Sequence, residues 1–186
     1  MKDIAYLWDT KLMFENHLKE HGFESQLIHP GSIGSPFLPR FKLMIIPTGF
    51  ANPGYSKLLP SLMLNKHRIE GFINNGGTAL VYGPMTEYHS YDWLPVNIEY
   101  IQRYGSVKIK KQYQNKASMI VDKPLVQCDG FFNSTEGECI LLNESDETIL
   151  VKINYGDGLI IATTIHEYPA SGFIRWAIDR SKTVSL

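Results

Sequence analysis

The sequence predicts an α/β domain with a mostly parallel central sheet and an antiparallel hairpin extension in its second half. In the first half, short apolar runs alternate with stretches of helical apolar spacing, which is typical of βα units. In the second half, strand-like runs follow one another across short polar turns. The length of 186 residues fits one domain over residues 1–186, which is large enough to bury a core without metals or disulfides.

Four buried strands are predicted in the first half. Asp9 or Thr10 is placed to cap a helix after the first strand, and Gly22 is placed to end that helix in the left-handed conformation. A second helical segment covers residues 56–75 and is interrupted at Pro60. The predicted strands are Ile4 to Trp8, Phe23 to His29, Leu43 to Ile46 and Thr78 to Tyr82.

The second half reads as a series of hairpins. Two turn-rich segments, 143–147 and 156–158, are hairpin connectors by composition. Ser171 is placed to cap a last helix over residues 172–179. The predicted strands are Val107 to Lys111, Ser118 to Val121, Cys139 to Leu142, Thr148 to Tyr155 and Leu159 to Ile165.

Charge and hydropathy argue against several classes of partner. Eighteen Lys and Arg against nineteen Asp and Glu give a formal net charge of -1, and like charges form no long block. We therefore expect neither nucleic acid nor a membrane surface as a partner. The apolar runs are too short to cross a bilayer or to form the core of a secretory signal, so we expect a cytoplasmic location.

Candidate site residues lie where the predicted parallel strands end. Loops at the carboxyl ends of such strands converge, and helix amino ends point at the same edge. Asp9 and Thr10 have an alternative interpretation, in which they only cap a helix. The candidate ligand-binding residues at this edge are Asp9, Thr48, Gly49, Asn52, Gly83, Met85, Thr86 and Glu87, and His166 and Glu167 are the candidate catalytic residues.

Three segments carry a resemblance to a known superfamily. The order of residues 41–49 (FKLMIIPTG), 69–84 (IEGFINNGGTALVYGP) and 155–167 (YGDGLIIATTIHE) resembles the class I glutamine amidotransferase-like proteins. The chain is most similar to small divergent members, such as the biotin-protein-ligase amino-terminal type and the trehalose-utilisation type. The resemblance covers about residues 4–178 and implies a flavodoxin-like three-layer sandwich.

The resemblance also implies a nucleophile, which this chain lacks. The family places a cysteine in a Gly-x-Cys-x-Gly turn between a strand and a helix, where the strained turn exposes the sulfur. Here Gly83 fits, but Met85 stands at the nucleophile's position and Glu87 at that of the closing glycine. A thioether cannot form the acyl intermediate, so we expect no glutaminase reaction. Thr86 or Ser90 is a weaker alternative nucleophile.

The two cysteines do not replace that nucleophile. Neither Cys128 nor Cys139 follows a predicted strand and opens a helix, and their spacing fits no metal finger. We expect reduced, partly buried thiols. No metal or other cofactor is expected.

The general-base position is altered as well. His166 matches the family's general base, but Glu167 is adjacent to it, whereas the family places the acid one residue further away. On an extended chain the two side chains therefore point to opposite sides, and Glu167 cannot orient the imidazole. In the alternative interpretation His166 only forms local hydrogen bonds at a strand end.

Two further motifs have competing interpretations. His17 to His21 reads H-x-x-E-H, the inverted zinc-peptidase pattern, but we expect it on a surface helix away from the strand-end crevice. The aromatic group Tyr88, His89, Tyr91 and Trp93 suits a sugar or other ring-bearing ligand, a subunit interface or a packed loop.

The sequence therefore predicts a domain without a nucleophile that binds a small molecule or a protein partner of unknown identity. One alternative is a hydrolase or carbohydrate-related enzyme that uses His166 as base with help from Asp9, Thr86 or Glu87. A second alternative is a structural domain that forms homo-oligomers, because the resemblance extends to domains that trimerise β-galactosidase-type enzymes.

Overall fold

The computed structural model describes residues 2–111 and 115–186, and its centre is one mixed sheet of eleven strands. The first half contains β1 (Ile4–Leu7), α1 (Met13–Glu20), β2 (Ser25–Ile28), β3 (Arg40–Phe41), β4 (Leu43–Ile46), α2 (Leu58–Leu64), α3 (Lys66–Asn74) and β5 (Thr78–Val81). The second half contains β6 (Tyr88–Ser90), β7 (Ile98–Lys108), β8 (Lys110–Lys111), β9 (Leu125–Thr135), β10 (Glu138–Leu142), β11 (Thr148–Tyr155), β12 (Gly158–Thr163), α4 (Ser171–Arg180) and β13 (Val184–Ser185).

The sheet has a parallel half and an antiparallel half. The parallel strands lie in the order β2-β1-β4-β5-β12, with α1 between β1 and β2 and with α2 and α3 between β4 and β5. From β12 the sheet continues antiparallel through β11, β9, β7 and β6, while β10 pairs with β11 and β8. Strand β12 therefore joins the two halves, and the α/β class with an antiparallel extension is confirmed.

Burial explains why the parallel strands form. Every residue of β1, β4, β5 and β12 is buried, which is the pattern of strands covered on both faces. The helices are amphipathic by comparison: α1 buries Phe14 and Leu18 and exposes Lys19 and Glu20. The carboxyl ends of the four buried strands consequently meet at one edge.

Several sequence expectations are confirmed. Strands β4 and β11 have the predicted bounds, and the turns 143–147 and 156–158 connect antiparallel pairs. Gly22 follows α1 with φ at +78°, in the left-handed region that glycine favours. No helix within the described ranges is long and apolar enough to span a membrane.

The helix caps were predicted wrongly. Neither Asp9 nor Thr10 caps α1, which starts at Met13 after Leu12 without a side-chain cap. Ser171 is the first residue of α4, and its cap position is Ala170. The helical segment over 56–75 breaks at Asn65 and not at the predicted proline, because that proline is the third residue of α2, where a backbone N–H has no partner within the helix.

The antiparallel half was predicted incompletely. Residues 118–121 are not a strand: they lie largely in a 3₁₀ turn over Lys116–Ile120. Most of β7 and all of β6 and β9 were missed. Part of β7 and both ends of β9 are exposed or half-buried and carry polar residues, so no continuous apolar run marks these strands.

Candidate functional site

A cleft of about 670 Å³ lies at the carboxyl ends of the parallel strands. Its walls come from the start of α1, from the residues after β4 and β5, and from the segment after β12. The side chains are mainly apolar or aromatic, with a few polar groups among them, as is usual for a small-molecule site. The lining residues are Leu12, Met13, Phe14, His17, Pro47, Thr48, Tyr82, Lys123, His166, Glu167 and Tyr168.

Three of the predicted site residues line this cleft: Thr48, His166 and Glu167. The others form a turn beside it or lie elsewhere. The turn, residues 83–87, is called the elbow below.

The elbow holds a thioether at a strained backbone position. Met85 has φ at +54°, a left-handed conformation that is uncommon and strained for a residue with a side chain. The Gly49 N–H donates to the Gly83 carbonyl at 2.8 Å, and Asn52 Nδ2 donates to the Met85 carbonyl at 2.9 Å. Gly49 and Asn52 thus hold the elbow from the loop after β4.

The residues after Met85 do not open a helix. Thr86 Oγ1 donates to the Tyr88 carbonyl at 3.1 Å, Glu87 is exposed, and the chain continues into β6. The elbow consequently has neither a thiol nor the helix amino end that would follow it in a nucleophile turn.

Asp9 contacts a different helix from the one predicted. Its carboxylate accepts from Ser56 Oγ at 2.5 Å and from the Lys57 N–H at 3.1 Å, immediately before α2. Asp9 is absent from the cleft lining, and these contacts give it a structural role at the start of α2.

Glu167 turns away from His166. Glu167 Oε1 accepts from the Gln127 N–H of β9 at 2.9 Å, while the His166 N–H donates to the Gln127 carbonyl at 2.8 Å. The exposed His166 ring contacts Tyr104 edge-on, with ring centroids 6.2 Å apart. The Glu167 carboxylate is thus bound to β9, and no hydrogen bond joins it to the His166 ring in the described part of the chain, so it does not orient the imidazole.

Cys128 pairs with Ile165, the residue before His166, but its side chain lies on the opposite face from that of His166. It lies opposite Ile165 in a β-bridge, so its side chain is directed away from that of His166. It is buried, and burial raises the pKa of its thiol to about 12, although the neighbouring Thr164 acts in the opposite direction. The thiol is therefore protonated near neutral pH and unsuited to nucleophilic attack. Cys139 is half-buried and accepts from Thr148 Oγ1 at 3.3 Å.

The H-x-x-E-H helix was placed wrongly from sequence. His17 lines the cleft because α1 starts at the end of β1. Its Nε2 lies 3.1 Å from the Pro169 carbonyl oxygen, and its ring lies 4.4 Å from that of His21 and 4.9 Å from that of Tyr168. Over residues 2–111 and 115–186, no three His, Cys, Asp or Glu side chains are grouped to hold a metal ion.

Two of the four residues of the predicted aromatic group belong to the core. Tyr91 and Trp93 are each 1% exposed and pack on Phe50, with ring centroids 5.8 and 5.5 Å from it. Tyr88 is exposed, and burial lowers the pKa of His89 to about 4. The packed-loop interpretation therefore describes Tyr91 and Trp93.

A buried carboxyl group lies beneath the elbow. Asp129 of β9 is 1% exposed, and a Cβ atom at Gly83 would collide with both of its carboxyl oxygens. The Tyr100 hydroxyl donates to the Asp129 carbonyl at 2.8 Å, and its oxygen lies 3.3 Å from Asp129 Oδ1. Burial raises the pKa of Asp129 to about 7.

Sequence reasoning missed three tyrosines at the cleft. Tyr82 and Tyr168 line the cleft, and Tyr6 packs behind it on Phe14, which is also a lining residue. The first two were read only as parts of buried strands. The available signal was a phenol at the carboxyl end of an otherwise apolar strand, since a buried tyrosine usually needs a partner for its hydroxyl.

Comparison with known proteins gives the fold but no family. No family model and no curated protein match the chain. A cytoplasmic protein of Salmonella typhimurium LT2 is similar in structure, with a TM-score of 0.63 and 11% identity over 96% of this chain and 99% of that one.

Two β-galactosidases are similar to the chain over part of their length. That of the Antarctic haloarchaeon Halorubrum lacusprofundi gives a TM-score of 0.58 at 12% identity, and that of Bacillus circulans sp. alkalophilus gives 0.53 at 13% identity. They cover 97% and 96% of this chain, which spans 30% of the length of each enzyme. At these identities the likenesses show the fold alone.

Proposed function

We propose that the chain is a glutamine amidotransferase-like domain of flavodoxin-like, three-layer architecture that has no nucleophile and binds a small molecule in its cleft. The strand order supports the architecture, because β2-β1-β4-β5-β12 is the flavodoxin-like order once the two-residue β3 is set aside. The cleft supports ligand binding by its position, since ligands of open α/β sheets gather at the carboxyl ends of the strands.

Met85 is the observation that carries the proposal. It occupies the left-handed position of the elbow, which hydrogen bonds from Gly49 and Asn52 hold in place. Its sulfur has no proton to lose. The thiol of Cys128, which pairs with the residue before His166, is buried, and burial keeps it protonated near neutral pH. A retained turn without its nucleophile fits a domain that binds without acyl transfer.

Ammonia release from glutamine tests this proposal. We expect none above background for the chain alone or with candidate partners, and the same result for Cys128→Ala. Robust ammonia release that is abolished by a single substitution near residue 85 would refute the proposal.

A hydrolase is the second candidate, and Glu167 is the observation that favours it. Its Oε2 is buried without a partner in the described part of the chain, beside a cleft that His166 also lines. Two structural neighbours are named β-galactosidases, which makes glycosides the substrates to assay first. Turnover that His166→Ala abolishes at unchanged stability would favour this candidate. If His166→Ala keeps both ligand binding and turnover, His166 is not part of the site.

Location and assembly are further proposals. We propose a cytoplasmic location, because the full-length structural neighbour is named a cytoplasmic protein. Homo-oligomer formation stays a prediction, and light scattering at high concentration tests it.

A further inference from the structure

Two buried phenol groups beneath the cleft lack hydrogen-bond partners. Tyr6 is 0% exposed and Tyr82 is 2% exposed. The hydroxyl oxygen of each is buried, and nothing in the described part of the chain bonds to it. An unpaired buried hydroxyl costs about 1–3 kcal/mol, so a partner from outside the chain would relieve a real penalty.

Two carboxylates are also incompletely paired, Glu167 in the cleft lining and Glu15 outside it. Glu167 Oε1 accepts from a backbone N–H, but its Oε2 is buried without a partner, and so is Glu15 Oε2. The ion pairs within residues 2–111 and 115–186 involve neither glutamate. A partly buried carboxylate without a cation is unfavourable, because burial removes the water that would otherwise solvate its charge.

These groups converge on one aromatic ring. The Phe14 ring centroid lies 5.4 Å from that of Tyr6, 5.9 Å from that of Tyr82 and 5.0 Å from that of Tyr168. Burial, followed by the charge of Glu15, raises the pKa of Tyr6. Burial, followed by the neighbouring Tyr6 and the charge of Glu167, raises the pKa of Tyr82. Tyr82, Glu167 and Tyr168 also line the cleft together, so they are placed to act on one ligand group.

We infer that the cleft binds the primary ammonium group of a ligand, between Glu167, Tyr82 and Tyr168. The inference rests on the proposed binding function and names the class of ligand. An ammonium group supplies three N–H donors for the unpaired oxygens and the positive charge that the carboxylates lack. The tyrosine and phenylalanine rings favour a cation as well, through attraction to their faces.

The rest of the cleft suits an apolar ligand body. Leu12, Met13 and Pro47 line it beside the aromatic rings. Lys123 is the lysine in the cleft lining, and its side chain is exposed. No ion pair joins it to Glu15 or Glu167 in the described part of the chain. A neutral polyol could pair with the same oxygens but would leave the carboxylate charge uncompensated, so we expect it to bind more weakly.

Calorimetric titration with matched probes tests the inference. The probes are benzylammonium, its neutral analogue benzyl alcohol, and galactose as a polyol. We expect benzylammonium to bind at least about tenfold more tightly than either neutral probe, because hydrogen bonds to charged groups are roughly twice as strong as neutral ones.

Two variants with matched controls locate the site. Glu167→Gln keeps an acceptor for the backbone N–H but removes the charge, and Tyr82→Phe removes one hydroxyl. We expect each to weaken benzylammonium binding, Glu167→Gln by about tenfold or more. Glu20→Gln on the exposed side of α1 and Tyr155→Phe at the opposite end of the sheet should leave the affinity unchanged. Thermal unfolding of each variant shows whether it is folded.

Each outcome decides the inference. Selective benzylammonium binding that is weakened in folded Glu167→Gln and Tyr82→Phe supports it. Equal binding of benzyl alcohol, tighter binding of galactose, no binding of benzylammonium, or affinity unchanged in both folded variants overturns it. Galactose binding would leave the proposed binding function standing, whereas ammonia release from glutamine would remove that function itself.

Discussion

Asp129 and His89 are buried titratable groups whose effects on stability oppose each other. Burial raises the pKa of Asp129 from 3.8 to about 7 and lowers that of His89 from 6.5 to about 4. The folded chain holds the Asp129 proton longer than the unfolded chain, so the free energy of unfolding falls as pH rises from about 4 to 7. The folded chain releases the His89 proton earlier, so the same free energy rises between about pH 4 and 6.5.

Replacing Asp129 should reveal the pH dependence that His89 contributes to stability. In Asp129→Asn, which keeps an acceptor for Tyr100, we expect the free energy of unfolding to rise more steeply with pH between about 4 and 6.5 than in the natural chain. The difference between the two chains should change by up to about 4 kcal/mol, the equivalent of a shift of about three pKa units. Urea unfolding at several pH values measures this.

The exposed Asp122 provides the control for this measurement. Asp122→Asn should reproduce the pH profile of the natural chain. An identical profile for Asp129→Asn would show that Asp129 ionises like a solvent-exposed carboxyl group and would contradict this account.

At the level of single residues, the sequence identified positions better than roles. Thr48, His166 and Glu167 were found because they follow parallel strands, and they do line the cleft. Asp9 was found by the same rule but bonds to Ser56, because the distance from a strand end does not say which way a side chain turns. The phenols of the cleft floor were missed because a tyrosine in an apolar run looks like any core aromatic.

The elbow is the element whose geometry the account depends on. It must pass over the Asp129 carboxyl group, and only a residue without a Cβ fits at position 83. Two hydrogen bonds from the loop after β4 fix its other side.

Gly83→Ala should therefore destabilise the fold. We expect a loss of about 1–3 kcal/mol, since the added methyl group must displace the buried carboxyl group or the strand that carries it. Chemical denaturation measures the loss. Gly105→Ala is the matched control, because nothing lies within 4 Å of a Cβ placed there. Equal stability of the two variants would contradict the packing of the elbow on Asp129.

The elements also show where sequence patterns are sufficient. Strands β4 and β11 were predicted with their bounds because apolar residues and flanking turns define them locally. Strand β7 pairs with β9 from Ile98 to Lys108 with an irregularity between Gln102 and Gly105, and this central part is exposed. Pairing between segments far apart in the chain, rather than local hydropathy, makes this strand, so a local pattern could not reveal it.

The whole molecule should unfold as one unit. Strand β12 pairs with β5 on one side and with β11 on the other, so neither half of the sheet can be lost without exposing its backbone to solvent. The tryptophans report on both halves, because Trp8 follows β1 and Trp93 follows β6. We expect tryptophan fluorescence and far-ultraviolet circular dichroism to give coincident urea transitions. Two separated transitions would show that the halves are independent.

The central claim is that the molecule keeps a nucleophile turn but has no reactive thiol at its cleft. The intact mass of the folded chain after exposure to an alkylating glutamine analogue tests it most directly. Met85→Cys serves as a reference, because its thiol would stand at the elbow. We predict an unchanged mass for the natural chain, and a mass increase located at Cys128 or Cys139 would contradict the account.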